Sequence, residues 1–247
     1  MKITFVGTSH GVPAADRFCF CVMIESGDSV YFIDAGAPIA KEVLRYGREV
    51  TDIRAVFNTH NHCDHTAGLF ELVDLITWYY KSHSMEVYVA DEPIIGALAH
   101  MIAASEPGME LSHDRVHFHV AEAGVCYEDK NIKVEYIPTS HMKAPFHSYA
   151  ILVSEGEKRV LFSGDLSRRL EQADVPDLIE KEPIDLYVTE LAHFGMAEMK
   201  PYLDRCQAKR VGFLHVAPLS KYEDIEAIRT AYPFEILTPC DGDAFEI

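Results

Sequence analysis

Short apolar runs alternate with segments of helical spacing along the whole chain. Residues 20–25 and 29–33 are predicted to form a strand hairpin, and residues 69–80 have the spacing of a helix with Thr66 as its N-cap. The two halves of the chain share this succession of strands and helices. We therefore predict an α/β fold with two sheets packed face to face and helices outside, and we expect residues 1–247 to form a single domain.

Side chains that bind metals or exchange protons follow directly on apolar runs at five points. They are His60, His141, Asp165, Glu190 and His215. Strands that deliver polar groups from their ends to one rim build a site on a rigid support. The sequence therefore predicts one site assembled from distant parts of the chain.

The densest of these points is the segment THNHCDH, which ends at His65. Side chains two apart in an extended segment point the same way, so His60 and His62 can face one point. Asp64 and His65 lie past the bend and can face a second point. Imidazole and carboxylate groups are ligands for divalent ions such as zinc. We predict that this short loop serves two metal ions, and the alternative is a histidine-rich surface loop.

A second histidine pair, His117 and His119, falls on one face of the predicted strand 116–120. Two histidines at this spacing could hold a metal ion, but no third ligand is near in sequence. A half-exposed strand face is therefore the favoured interpretation.

The formal net charge of −17 over 247 residues limits the substrate classes that the surface favours. An acidic surface repels a phosphate backbone, and the longest basic runs are pairs such as Arg168-Arg169. We therefore expect a small-molecule substrate and no stable binding of nucleic acid. The sequence leaves room for a homodimer.

The six cysteines include no C-x-x-C pair, and the amino terminus runs directly into a strand pattern without a signal-peptide core. No stretch approaches the length that spans a membrane. We expect free thiols, no membrane association and a cytoplasmic protein.

Taken together, the motifs resemble those of the metallo-β-lactamase superfamily, and within it the ribonuclease Z and phosphodiesterase-like branch. The residues that carry the resemblance are His60, His62, Asp64, His65, His141, Asp165 and His215, with the loop GTSHGVP at residues 7–13, Ser163-Gly164 and Asp241-Gly242. The resemblance covers nearly the whole chain. It implies a four-layer αβ/βα sandwich of two mixed β-sheets with helices outside.

The resemblance also implies two divalent metal ions, for which zinc is expected and manganese or iron are alternatives. The first ion would be bound by His60, His62 and His141, the second by Asp64, His65 and His215, and Asp165 would bridge both. The implied chemistry is hydrolysis by a metal-bound hydroxide, since paired ions lower the pKa of a shared water towards about 7.

Four residues outside the ligand set, and Asp64 within it, are candidates for further roles near the metals. His193 and Glu190 resemble a pair that protonates the leaving group in ribonuclease Z-like enzymes, and the alternative for His193 is a helix cap or a supporting position. Asp64 is expected to act in catalysis as well as in metal binding. His10 and Ser9, in the glycine loop, are candidates for substrate contact, and solvent exposure is the alternative for His10.

The predicted function is a dinuclear metal-dependent hydrolase that acts on a small or cyclic phosphodiester. Processing of transfer RNA would resemble an activity that uses a long protruding arm, and the 24 positions from His141 to Asp165 are too few to contain one. The alternative substrates are a lactone or thioester, cleaved at the same metal pair. A third interpretation is a metal- or ligand-binding protein without catalysis.

Overall fold

The computed structural model describes residues 1–12, 14–170 and 174–247 of the chain. Pro13, the last residue of the predicted glycine loop, therefore lies outside the described residues. The strands within these ranges are, in chain order, Lys2–Gly7 (β1), Cys21–Ser26 (β2), Ser29–Ile33 (β3), Ile53–Phe57 (β4), Met85–Val89 (β5), Val116–Val120 (β6), Gly124–Glu128 (β7), Lys133–Thr139 (β8), Ser148–Glu155 (β9), Lys158–Phe162 (β10), Leu186–Leu191 (β11), Arg210–Val216 (β12), Glu235–Leu237 (β13) and Ala244–Glu246 (β14).

The strands form two sheets of seven strands each. The first has the order β14-β1-β2-β3-β4-β5-β6 and the second has the order β13-β12-β11-β10-β9-β8-β7. In each sheet one half is antiparallel and the other half, β3 to β6 or β10 to β13, is parallel. Both sheets are therefore mixed, as the sequence predicts.

The helices in the described ranges lie between strands, and most follow a parallel strand. They are Ile39–Arg45 (α1), Cys63–Trp78 (α2), Pro93–Ser105 (α3), Leu178–Lys181 (α4), Met196–Leu203 (α5) and Lys221–Ile228 (α6), with a 3₁₀ turn at Val50–Asp52. No helix in the described part of the chain has both the length and the apolar character needed to cross a bilayer.

Three apolar clusters hold the layers together. The cluster between the sheets takes Tyr31 and Phe57 from one sheet and Phe162 from the other. Phe32 and Val56, the chain neighbours of Tyr31 and Phe57, pack instead against α1, α2 and α3. Successive side chains of a strand point to opposite faces, so this division follows from the alternation in the sequence. A third cluster joins the second sheet to α4, α5 and α6. The predicted four-layer sandwich is confirmed.

Several element boundaries differ from the sequence prediction. Helix α2 begins at Cys63, with His62 at the N-cap position, so the prediction of Thr66 as N-cap is wrong. The Thr66 hydroxyl instead donates to the carbonyl of His62, one turn back in the helix. Strand β7 was not predicted, because Gly124–Glu128 is a short, half-exposed edge strand with little apolar alternation.

The histidines of β6 behave as the favoured interpretation requires. His117 and His119 lie on an exposed edge strand, and both bond to the carboxylate of Glu86 on β5, at 2.9 and 2.7 Å. A single carboxylate thus pairs with both rings across neighbouring strands.

Candidate metal centre

All the histidine and aspartate residues of the predicted site meet at one edge of the sandwich. His60 and His62 lie in the loop between β4 and α2, and Asp64 and His65 lie in the first turn of α2. Strands from the second sheet bring the rest, since His141 follows β8, Asp165 follows β10 and His215 lies in β12. A backbone bond from Tyr149 to the carbonyl of Thr59, 2.9 Å long, joins the two sheets beside this loop.

The first group of ligand atoms comes from His60, His62, His141 and Asp165. The Nδ1 atom of His62 lies 3.0 Å from Nε2 of His60 and 3.3 Å from Nε2 of His141. Oδ2 of Asp165 lies 3.8 Å from Nε2 of His60 and of His141. Three imidazole nitrogens and one carboxylate oxygen therefore converge on one point.

The second group comes from Asp64, His65, His215 and again Asp165. Oδ2 of Asp64 lies 3.4 Å from Nε2 of His65 and 3.3 Å from Nε2 of His215. Oδ1 of Asp165 lies 3.4 Å from Nε2 of His65 and 3.6 Å from Nε2 of His215. Asp165 thus directs one carboxylate oxygen to each group, which is the arrangement that a bridging ligand needs.

The hydrogen bonds around the rings fit this donor set to divalent cations. Nδ1 of His141 bonds to the carbonyl of Leu166 at 3.1 Å, and Nδ1 of His60 lies 3.0 Å from the Thr59 hydroxyl. These bonds leave the Nε2 lone pairs facing the clusters. Nε2 of His65 is buried without a hydrogen-bond partner among the described residues. A buried ring nitrogen that has no partner and lies among carboxylates and imidazoles could donate its lone pair to a cation.

Asp34 is the residue that fixes His65, although no ligand motif in the sequence includes it. Its buried carboxylate accepts a 2.8 Å bond from Nδ1 of His65, and it also accepts bonds from Asn58 and from the backbone and hydroxyl of Thr59. The only sequence signal was its place at the end of β3, directly before Ala35 and Gly36. Its backbone φ of 56° is unusual for a residue with a side chain.

Burial and charge shift the pKa values in the cluster in opposite directions. Burial and the neighbouring His65 hold the pKa of His60 well below its usual value. Burial also acts to lower the pKa of His65, but Asp165 and Asp34 outweigh it and raise that pKa well above its usual value. For Asp64, burial opposes ionisation, and hydrogen bonds with His215 and His65 overcome it and lower the pKa.

Glu190 holds His193 beside the His/Asp cluster. Glu190 is buried, and its Oε1 accepts bonds from Nδ1 of His193 at 2.8 Å and from the backbone of Leu166 at 2.7 Å. Its Oε2 accepts the backbone N–H groups of Ala192 and His193. The His193 ring is one-fifth exposed, and its centroid lies 4.8 Å from that of His141. Burial lowers the pKa of His193, but the Glu190 carboxylate outweighs it and raises the pKa.

Two further polar residues fix the loops around the site, and neither was found in the sequence. The buried carboxylate of Asp174 accepts bonds from the backbone and hydroxyl of Ser140 and from the backbone of Ser167. It therefore joins the loop after β8 to the loop after β10. The ammonium group of Lys221 donates to the carbonyls of Leu191, Ala192 and Phe194, at 2.8, 3.1 and 2.6 Å.

Two cavities open over the cluster. The smaller one has a volume of about 540 Å³ and is lined by His10, Gly11, Val12, His62, Asp64, Asp165, Arg168, Ala192, His193, His215 and Ala217. His10 therefore faces the site, as one of its two interpretations requires, with its ring 6.3 Å from that of His215. Ser9 is buried and its hydroxyl donates to the carbonyl of Val12, so it holds the glycine loop; its contact with substrate stays a prediction.

The fold and the paired His/Asp clusters define a member of the metallo-β-lactamase superfamily, in its ribonuclease Z and phosphodiesterase branch. Residues 1–207 match the family described as Anti-Pycsar protein Apyc1, and the chain belongs to that family.

Similar proteins agree with this assignment. A ribonuclease Z of Picosynechococcus sp. is 28% identical over 148 residues, which are 59% of this chain and 45% of the relative. The chain thus spans about half the length of the curated relatives it matches. The metallo-β-lactamase fold protein YhfI of Bacillus subtilis superposes with a TM-score of 0.77 at 18% identity, over 99% of this chain and 98% of that one. The short form of human tRNase Z gives a TM-score of 0.72 at 18% identity, over 100% and 99% of the chains.

These comparisons confirm some of the sequence predictions and leave others untested. They confirm the superfamily and the fold, and with the His/Asp clusters they support use of divalent metal by a hydrolase. The name ribonuclease Z is at odds with the expectation that the chain does not bind nucleic acid, so that expectation is not confirmed. The identity of the metal, the homodimer and the cytoplasmic location stay predictions.

Proposed function

We propose that this protein is a dinuclear metal-dependent hydrolase that cleaves a small or cyclic phosphodiester. The observation that carries the proposal is the pair of ligand groups that share Asp165, with His193 held at their edge by Glu190. Ribonuclease Z, the name of the curated relatives, denotes an enzyme that acts on RNA, whose backbone is a phosphodiester. The bond that this site would cleave is therefore of the same class.

In this proposal the residues of the cluster would hold two ions. His60, His62 and His141 would hold one, Asp64, His65 and His215 would hold the other, and Asp165 would contribute to both; zinc is the proposed metal. Asp64 would also act in catalysis. Two divalent ions bound there would supply Lewis-acid chemistry, which lowers the pKa of a coordinated water and offsets charge on the phosphoryl group.

The leaving group of a diester is an alkoxide, which needs a proton when the phosphorus–oxygen bond breaks. His193 can supply that proton from Nε2, because Nδ1 is bonded to Glu190. The Glu190 carboxylate fixes the ring orientation and favours the protonated imidazole. His193 lines both cavities over the cluster, so its free nitrogen is accessible to a bound substrate.

The charge of the chain and the length of one loop both favour a small substrate. The chain carries 39 acidic and 22 basic residues, and this balance opposes the long-range attraction of a polyanion. The loop from His141 to β9 is short, so no arm extends from this part of the described chain. A small or cyclic diester is consistent with both observations.

The test is a metal analysis of the purified protein followed by assays with that metal. The substrates are bis(4-nitrophenyl) phosphate, a nucleoside cyclic phosphate, a short RNA, a lactone and a thioester. We expect about two equivalents of divalent metal and a preference for the small or cyclic diesters. A preference for RNA would overturn the substrate size, and a preference for lactone or thioester would overturn the phosphodiester. Metal-loaded protein that is inert to every substrate would favour a binding protein.

A further inference from the structure

A second, larger cavity adjoins the metal cluster and is lined by basic side chains. It has a volume of about 700 Å³ and is lined by His62, Ser140, His141, Lys143, Ser167, Arg168, Arg169 and His193. Arg168, His62 and His193 line this cavity and the cavity over the metal ligands. The two cavities therefore adjoin, so the basic residues lie next to the space over the metal cluster.

Lys143, Arg168 and Arg169, hereafter the cationic face, are unusual in this chain. Acidic residues outnumber basic ones by 39 to 22, yet the described residues that line the larger cavity include three cations and no carboxylate. Among the described residues, none of the three lies within 4.0 Å of a carboxylate oxygen, although many other lysines and arginines form such ion pairs. No carboxylate in the described part of the chain therefore competes with a ligand for these three charges.

The backbone fixes the cationic face relative to the metal ligands. Lys143 lies two positions after His141, and Arg168 lies three positions after Asp165. Asp174, the nearby buried carboxylate, accepts bonds from Ser140 and Ser167 and forms no ion pair with any of the three cations among the described residues. It joins the two loops that carry the basic residues.

The reacting phosphate does not need Lys143 or Arg169. In the proposed function the diester phosphate would lie on the metal cluster, while Lys143 and Arg169 line only the larger cavity. Guanidinium groups bind phosphate and carboxylate through paired hydrogen bonds, and an ammonium group adds a point charge. Two cations that line only the larger cavity, next to a site for a monoanion, indicate a ligand with more negative charge than one diester carries.

We propose that the substrate carries a second anionic group, of phosphate type, and that the cationic face binds this group while the diester lies on the metals. This inference deepens the proposed function and rests on it for the identity of the reaction. The second group would set substrate specificity, mainly through KM, because its contacts are the same before and during bond cleavage.

The kinetic test compares a nucleoside 2′,3′-cyclic phosphate with the same compound bearing a 5′-phosphate. The metal-loaded wild-type protein should prefer the 5′-phosphorylated compound by about tenfold or more in kcat/KM. Arg169→Gln and Lys143→Gln should each remove most of this preference, and added salt should weaken it. Neither variant should change kcat/KM for the compound without the 5′-phosphate by more than about twofold.

The matched control is Lys130→Gln. Lys130 is an exposed lysine in the turn between β7 and β8, at the opposite end of β8 from His141. It should leave the preference unchanged. Absence of a preference in the wild type, or an equal loss for both compounds in the variants, would overturn the inference while leaving the phosphodiesterase proposal intact.

A binding measurement separates the two proposals if neither compound is hydrolysed. Calorimetric titration of the metal-loaded protein with inorganic pyrophosphate and with inorganic phosphate measures anion binding without turnover. Weaker pyrophosphate binding by about tenfold in Arg169→Gln, with phosphate binding unchanged, supports the cationic face even if the diester proposal fails. Equal affinities of wild type and variant for pyrophosphate would refute it.

Discussion

The carboxylate of Asp34 accepts a hydrogen bond from Nδ1 of His65 across 2.8 Å, and both side chains are completely buried. This bond holds the ring so that Nε2, which has no hydrogen-bond partner, faces Asp64 and Asp165. Asp34 lies 31 positions before His65 in the chain, and it supports the site although it is not in the predicted ligand set.

Replacing Asp34 should therefore weaken metal binding. In Asp34→Asn a neutral amide replaces the carboxylate, so its hydrogen bond with the ring N–H is weaker. Loss of such a supporting carboxylate weakens metal affinity by about 10- to 100-fold. Competition with a chelator measures the affinity. Asp28→Asn, in the exposed turn between β2 and β3, should leave it unchanged. Equal affinities of Asp34→Asn and the wild type would show that the bond is not needed to orient His65.

A change at His193 should separate catalysis from metal binding. We expect His193→Gln to lower kcat for the preferred diester by about 10²- to 10⁴-fold, since the departing alkoxide loses its proton donor. Metal content, measured by elemental analysis, should be unchanged. His147→Gln is the control, because His147 is an exposed histidine paired with Asp91. Loss of metal in His193→Gln would instead make His193 a ligand.

Lys221 should matter to turnover although it lies outside the cavities over the cluster. Its three bonds to carbonyls on both sides of His193 fix the backbone of that loop. We expect Lys221→Met to lower kcat by about tenfold or more, with KM and metal content little changed, because a small misplacement of a catalytic group is costly.

The control for Lys221→Met is Lys200→Met. Lys200 is an exposed lysine on α5 that pairs with Asp204. Its replacement should leave kcat as in the wild type. Equal kcat values for all three proteins would show that the Lys221 bonds do not position His193.

The bonds of Glu86 with His117 and His119 should make the free energy of unfolding depend on pH. Hydrogen bonding to Glu86 raises the pKa of His117 above 6.5, with a small contribution from Asp114. Burial acts to raise the pKa of Glu86, but His117 and His119 outweigh it and lower that pKa below 4.5. The histidine contribution is present below pH 6.5 and is lost as pH rises through the raised pKa. The glutamate contribution is present above pH 4.5 and is lost as pH falls.

The two contributions overlap between about pH 4.5 and 6.5. Glu86→Gln should therefore lower the free energy of unfolding most near pH 5.5, and less at pH 8. The residues are partly exposed, so the loss should be a few tenths of a kcal/mol up to about 1 kcal/mol. Urea titrations at both pH values measure it, and a loss that is equal at pH 5.5 and 8 would contradict the assignment.

Gly68 should tolerate no side chain. A Cβ atom there would lie 1.9 Å from the carbonyl oxygen of Ala37, because α2 packs directly on the turn after β3. We expect Gly68→Ala to lower the free energy of unfolding by about 2 to 4 kcal/mol. Gly96→Ala, on the exposed face of α3 with nothing within 4 Å, should instead be neutral or stabilising by up to about 1 kcal/mol. Chemical denaturation compares the two variants.

The sequence by itself predicted the layer architecture and the residues that meet in the two His/Asp groups. Alternation along β3 and β4 assigns neighbouring side chains to opposite faces of a sheet, and this is a local property of the backbone. The segment from His60 to His65 places four ligands within six residues, so its two-sided geometry also follows from local chain direction. The places of His141, Asp165 and His215 directly after apolar runs predicted that they share this site, and their division between two metal ions depended on the resemblance to a known superfamily.

Only the tertiary structure decided how these ligands are held. Asp34, Asp174 and Lys221 have no motif around them, and their roles arise because folding brings their charged groups to backbone and ring atoms far away in the chain. A buried polar group must find partners wherever the packing places them, and no periodicity in the sequence records which partners those are. The cationic face has the same origin, since Lys143 and Arg168 become neighbours of one cavity only after two loops are joined through Asp174.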